Sequence, residues 1–92
     1  MIKILQKFLI KGLNMNETNV YYVIKLYSIK NNKYSYLYES NPYRSVYEAN
    51  KFSSYEEGLA RMENFFRLDS DRKDFDMSKS KVCKITLIEE EM

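Results

Sequence analysis

Two stretches, VYYVIKLYSI at residues 20 to 29 and KYSYLYE at residues 33 to 39, stand either side of a short Lys30-Asn31-Asn32-Lys33 link. Both are dense in aromatic and β-branched side chains, which suit a pleated, half-buried surface far better than a helix. The pair therefore predicts a β-hairpin. Asparagine tolerates positive φ, so Asn31-Asn32 predicts a two-residue turn whose twist matches the flanking strands. That register sets Leu26 opposite Leu37 and Tyr27 opposite Tyr36. Because strand side chains alternate, Val20, Tyr22, Ile24, Leu26 and Leu37 gather on one face. Tyr21, Val23, Lys25, Tyr27, Ile29, Tyr34, Tyr36 and Tyr38 gather on the other. The aliphatic face is the expected core, and the tyrosine face is left for water, for a partner, or in part for an N-terminal helix.

The remaining elements follow from periodicity. In residues 2 to 13, Lys3, Lys7 and Lys11 recur every four positions opposite Ile2, Leu5, Phe8, Leu9 and Leu13, which predicts an amphipathic helix ending near Gly12. Residues 1 to 14 are thus a helix or arm, optional if Met15 begins the protein, and residues 15 to 92 form a single α+β domain. The segment from Glu39 to Lys51 predicts a loop: Asn41-Pro42 signals a turn, and short strand is open to Ser45-Val46-Tyr47 and Lys51-Phe52. Ser53-Ser54 followed by Glu56-Glu57 has the form of a capping box. Tyr55, Leu59, Met62 and Phe66, with Phe65 beside them, then make one apolar stripe. From Lys81 to Glu89, Cys83, Ile85 and Leu87 alternate with Val82, Lys84, Thr86 and Ile88, the period of a closing strand with one core face. The predicted class is α+β: an N-terminal helix, a tyrosine-rich hairpin, a second helix packed on an antiparallel or mixed sheet, and a C-terminal strand.

Composition narrows the chemistry. The chain has 92 residues, no histidine and one cysteine, Cys83, which removes the commonest general base, the usual zinc sets and any internal disulfide. A single unpaired cysteine, expected as a small buried hydrophobe, suits a reducing cytoplasm. The opening MIKILQKFLIKGL is too short and too lysine-rich for a membrane span or a signal peptide. Asp69, Asp71, Asp74 and Asp76 invite a calcium reading, but the sixth and twelfth positions of a helix-loop-helix calcium loop would be Asp74 and Ser80, where glycine and glutamate are needed. Glu56 and Glu57 diverge by about 100° around a helix, and two glycines supply no phosphate loop. No enzyme activity and no cofactor are expected.

Nine tyrosines, seven of them between Tyr21 and Tyr43, are the feature left over. Tyrosine offers a large, stiff contact area with a hydroxyl that stays hydrogen-bonded, which suits recognition surfaces. Tyr27, Tyr34, Tyr36 and Tyr38, rimmed by Lys25 and Lys33, are the candidate contact residues. Residues 1 to 50 carry net charge +4 and residues 51 to 92 carry −2, so one end suits an anionic partner and the other a cationic one. Asp69, Asp71, Asp74, Asp76 and the terminal Glu89, Glu90 and Glu91 are candidates to stand in for phosphates in a basic groove. Self-association through the tyrosine face is a further possibility.

The run Ala49-Asn50-Lys51-Phe52-Ser53-Ser54-Tyr55-Glu56-Glu57-Gly58, after a tyrosine-rich hairpin and before a closing strand, resembles small accessory proteins of phages that infect low-GC Gram-positive bacteria. That resemblance spans roughly residues 20 to 90 and supplies no site residues. It implies a cytoplasmic inhibitor of host defence, in the manner of anti-CRISPR proteins, whose partner is a bacterial host protein such as a nucleic-acid-binding effector. The alternative is a regulatory module that binds nucleic acid through the Tyr/Lys hairpin face.

Overall fold

The computed structural model describes residues 19–68 and 70–88. The helix expected over residues 2–13, Asp69, and Glu89, Glu90 and Glu91 lie outside the described residues. Within them, strands β1 (Val20–Ser28), β2 (Lys33–Tyr38) and β3 (Asn41–Arg44) precede helix α1 (Tyr55–Leu68), and strand β4 (Lys81–Thr86) closes the order. Two short 3-10 turns, Ser70–Asp74 and Met77–Lys79, join α1 to β4. The strands form one antiparallel sheet in the order β3-β2-β1-β4, with α1 on one face, an α+β arrangement.

The hairpin forms, but its turn holds four residues rather than two. Tyr27 pairs with Tyr34 and Ser28 with Lys33, which places Ile29 to Asn32 in the turn. Ser28 accounts for the longer loop: its carbonyl accepts the Asn32 N–H at 2.8 Å and its hydroxyl accepts the Asn31 N–H at 3.0 Å. Asn32 alone adopts positive φ in that turn, at 57°. Leu26 therefore faces Ser35, not Leu37, and Tyr27 faces Tyr34, not Tyr36. A slip of one residue would have exchanged the faces; this slip is of two, so the sorting of side chains survives.

β1 has partners along its whole length. Where β2 bends away, Phe52 exchanges backbone bonds of 2.9 and 2.8 Å with Tyr22. At the opposite end, Ile29 donates to the Asp74 carbonyl at 2.8 Å and Asp76 to the Tyr27 carbonyl at 2.9 Å. The buried Ser80 hydroxyl accepts the Tyr27 N–H at 3.0 Å and donates to the Asp76 carbonyl at 2.8 Å. The loop segment expected after Glu39 contains a strand that includes Pro42, contrary to its reading as a turn. An edge strand spares proline any duty as a donor, and the Pro42 carbonyl still accepts the Ser35 hydroxyl at 2.6 Å. Val46 to Glu48 is turn, so Ser45-Val46-Tyr47 forms no strand, and Phe52 contributes a single bridge.

The helix start matches the capping pattern. Ser54 accepts the Glu57 N–H at 3.1 Å, while the Glu57 carboxylate accepts the Ser53 N–H at 3.1 Å and the Ser53 hydroxyl at 2.9 Å. The buried line of α1, however, is Gly58, Met62 and Phe65, whereas Tyr55 is exposed. Leu59 and Phe66 pack beside that line, as the stripe of Leu59, Met62, Phe65 and Phe66 predicts, and of the expected set Tyr55 alone faces out; Gly58 brings the helix close to Val82 of β4. Ile24, Leu26, Leu37, Met62, Phe65 and Phe75 make the core. Val82 packs against it from β4, so Cys83 and Ile85 fall on the opposite, tyrosine-bearing face, and Cys83 is half-buried.

Asp76 caps the turn before β4, accepting the Ser78 N–H at 2.9 Å and the Ser78 hydroxyl at 2.7 Å. Hydrogen bonding from the Ser78 side chain, with help from its N–H and the charge of Lys79, holds the Asp76 carboxyl below its ordinary value of 3.8. A carboxyl lowered by folding supports the fold above its unfolded pKa, and that support is lost as pH falls through the lower folded value. The Asp76 titration midpoint, followed by NMR, is therefore expected below 3.8 and should rise toward it in Ser78→Ala. A wild-type midpoint at or above that of an unfolded peptide would contradict the cap.

Candidate functional site

The sheet face opposite α1 is built by alternation. On β1 it takes Tyr21, Val23, Lys25 and Tyr27; on β2, Tyr34, Tyr36 and Tyr38; on β4, Lys81, Cys83 and Ile85. Arg44 joins from β3 opposite Tyr36. Val23 is fully buried, whereas Tyr34 and Tyr38 each remain 41% exposed. The expected contact residues Tyr27, Tyr34, Tyr36, Tyr38 and Lys25 are thus brought together. Lys33 is not: its register partner is Ser28, which places it on the alternation of the helix-bearing face, at the hairpin end.

The rings and cations on this face are in contact. Tyr27 meets Tyr34 edge-on with centroids 5.1 Å apart, and the Tyr27 hydroxyl donates to the Asn32 side chain, so the pair is held from the turn. The Lys25 ammonium lies 4.6 Å from the Tyr34 centroid and the Lys81 ammonium 5.9 Å from the same ring. Lys79 lies 4.7 Å from the Tyr27 ring, Lys51 5.3 Å from Tyr21, and Arg44 5.9 Å from Tyr38. Arg44 also forms a 3.2 Å ion pair with Glu48, whose carboxyl is lowered chiefly by accepting the Ser45 N–H.

Lys25 and Lys81 are direct register partners on β1 and β4. Like charges facing each other across a ladder oppose pairing. No Asp or Glu occurs anywhere in the four strands, which carry Lys25, Lys33, Arg44, Lys81 and Lys84. Lys79 and Lys81, from the chain half with net negative charge, join Lys25 beside the tyrosines, whereas Lys33 and Lys84 follow the helix-bearing alternation. Sequence reasoning missed Lys51, Lys79, Lys81 and Arg44 because the signal lies in which strands become neighbours.

The acidic candidates scatter. Asp74 accepts the Tyr43 hydroxyl at 3.0 Å, beside the Tyr43–Phe75 ring pair, and Asp76 serves as the cap described above. Asp71 lies in the 3-10 turn Ser70–Asp74. Among the described residues, no three acidic, cysteine or histidine side chains gather as a metal site, and no helix is long and apolar enough to cross a membrane. No family model, curated protein or solved structure matches this chain, so its own residues carry the reading of the site.

Proposed function

We propose that the protein is a non-enzymatic binding module that works by laying the open face of its sheet on an anionic partner. One observation carries this reading: the four strands present aromatic rings and ammonium groups in contact, with no carboxylate among them. Rigid rings supply contact area at small entropic loss, and strands that carry cations and no carboxylate favour a partner of opposite sign. In the form suggested by the phage-protein resemblance, this is an inhibitor that occludes a functional surface of a bacterial nucleic-acid-processing protein. The alternative form binds nucleic acid directly. Both use the same face, and neither draws on Asp74 or Asp76, which already accept hydrogen bonds within the chain. Face-to-face self-association would bring two copies of one cationic face together, which like-charge repulsion opposes.

The test is retention from a bacterial lysate by the immobilised full-length protein, with protein and nucleic acid both measured. Replacing Tyr34 and Tyr36 together by alanine should lower total retention at least tenfold (about 1.4 kcal/mol), while far-UV circular dichroism remains that of the parent. Equal retention by parent and folded variant would remove the reading.

A further inference from the structure

The distribution of rings and cations goes a step further and, resting on the binding-module reading, identifies the partner chemistry. We infer that the tyrosine face is a platform for single-stranded nucleic acid, with bases stacked on Tyr34, Tyr36 and Tyr38 and phosphates held by Lys25, Lys79 and Lys81.

Three features point to a single strand. First, Tyr34, Tyr36 and Tyr38 occupy alternate positions of one strand, so the rings recur about every 6.8 Å along a line. That line suits successive unstacked bases, each offering a flat face to a ring, whatever its sequence. Second, the lysines lie beside the line on its β1 and β4 side and gather at its Tyr34 end: Lys25 and Lys81 converge on the Tyr34 ring, and Lys79 sits over Tyr27 beside it. A phosphate between Lys25 and Lys81 would relieve the repulsion of two register-paired ammonium groups. Third, rings standing on a sheet face can stack only on bases that are themselves unstacked, and a duplex hides its base faces in the stack. Tyr27 has a separate task. Its edge contact with Tyr34 and its hydroxyl bond to Asn32 hold the Tyr34 ring in place.

Counter-ion release makes the inference quantitative. Two phosphates, one shared by Lys25 and Lys81 and one at Lys79, give a slope of log affinity against log salt of about −1.4 on a single strand, so binding should weaken roughly sevenfold between 50 and 200 mM salt. Fluorescence anisotropy of the full-length protein with labelled oligothymidylate and oligouridylate, beside a duplex of equal length, is the measurement. Single strands should bind better than duplex. Tyr34→Ala and Tyr36→Ala should each weaken binding at least about fivefold. Lys25→Gln with Lys81→Gln should bring the slope to about −0.7. Glu63→Gln, on the helix layer, should change neither quantity. Absence of binding at 20 mM salt, preference for duplex, or a slope unmoved in the folded lysine variant would each overturn the inference. If oligonucleotides fail but an acidic protein is retained from lysate in a manner that depends on Tyr34 and Tyr36, the nucleic-acid partner is overturned while the binding-module reading stands. If both fail, both are lost.

Discussion

Phe65→Ala should remove most of the protein's stability and leave it at the margin of unfolding. Phe65 is fully buried and stands at the centre of the aromatic part of the core, with ring centroids 5.1 Å from Phe66 and 5.6 Å from Phe75, both edge-on. Truncating a buried phenylalanine removes its transfer free energy and leaves a cavity the neighbours fill only in part, a loss of about 3–5 kcal/mol. A chain this short has a total stability of about 5 kcal/mol, so little would remain. The effect should also reach the segment that carries Phe75. That residue stacks on Tyr43 as well as Phe65, and its backbone neighbours pair with β1. Urea unfolding followed by circular dichroism measures the loss. A decrease below about 1 kcal/mol would mean that α1 does not pack on the sheet as described.

The second large effect concerns a substitution that usually stabilises helices. Replacing glycine inside a helix by alanine ordinarily gains about 1 kcal/mol. Gly58 is different: a Cβ there would lie 2.9 Å from Val82 Cγ1 and 3.6 Å from Cγ2, with Phe52 Cδ2 at 3.8 Å. Val82 is branched at Cβ and half-buried against the core, so it cannot swing away as a flexible chain end would. Overpacking of this kind costs about 1–3 kcal/mol, and valine adds two more carbons together with poorer helix propensity. Gly58→Val is therefore expected to destabilise by about 2–3 kcal/mol. Its coupling to Val82→Ala in a double-mutant cycle should be favourable by about 1 kcal/mol or more. Stabilisation by Gly58→Ala, or no coupling to Val82, would show that helix and strand do not meet there.

How much of this was legible without coordinates varies by element. The helix start at Ser53-Ser54 was readable because a capping box is local: donor and acceptor lie within four residues. The Gly58 approach was not, since its reason is Val82, 24 positions further on. The hairpin turn lies between these cases. Its place was clear from Asn31 and Asn32, but its length was set by the Ser28 hydroxyl capturing an N–H, an interaction composition does not announce. The faces survived the error because only the parity of a register, not its value, decides which way a strand side chain points.

The same division runs through the site. Alternation along β1 and β2 by itself placed Tyr27, Tyr34, Tyr36, Tyr38 and Lys25 on one side and the aliphatic residues on the other, because pleat geometry is a property of each strand alone. Tertiary structure decided that β4 lies beside β1, which puts Lys81 against Lys25 and turns Cys83 and Ile85 outward with the tyrosines. It also set Lys79 over Tyr27 and kept Lys33 on the other alternation. Neighbours across a sheet are chosen by whole-chain packing, in which side chains far apart in sequence compete for the same core. A cationic aromatic face is therefore assembled from segments whose charges, read in order, nearly cancel.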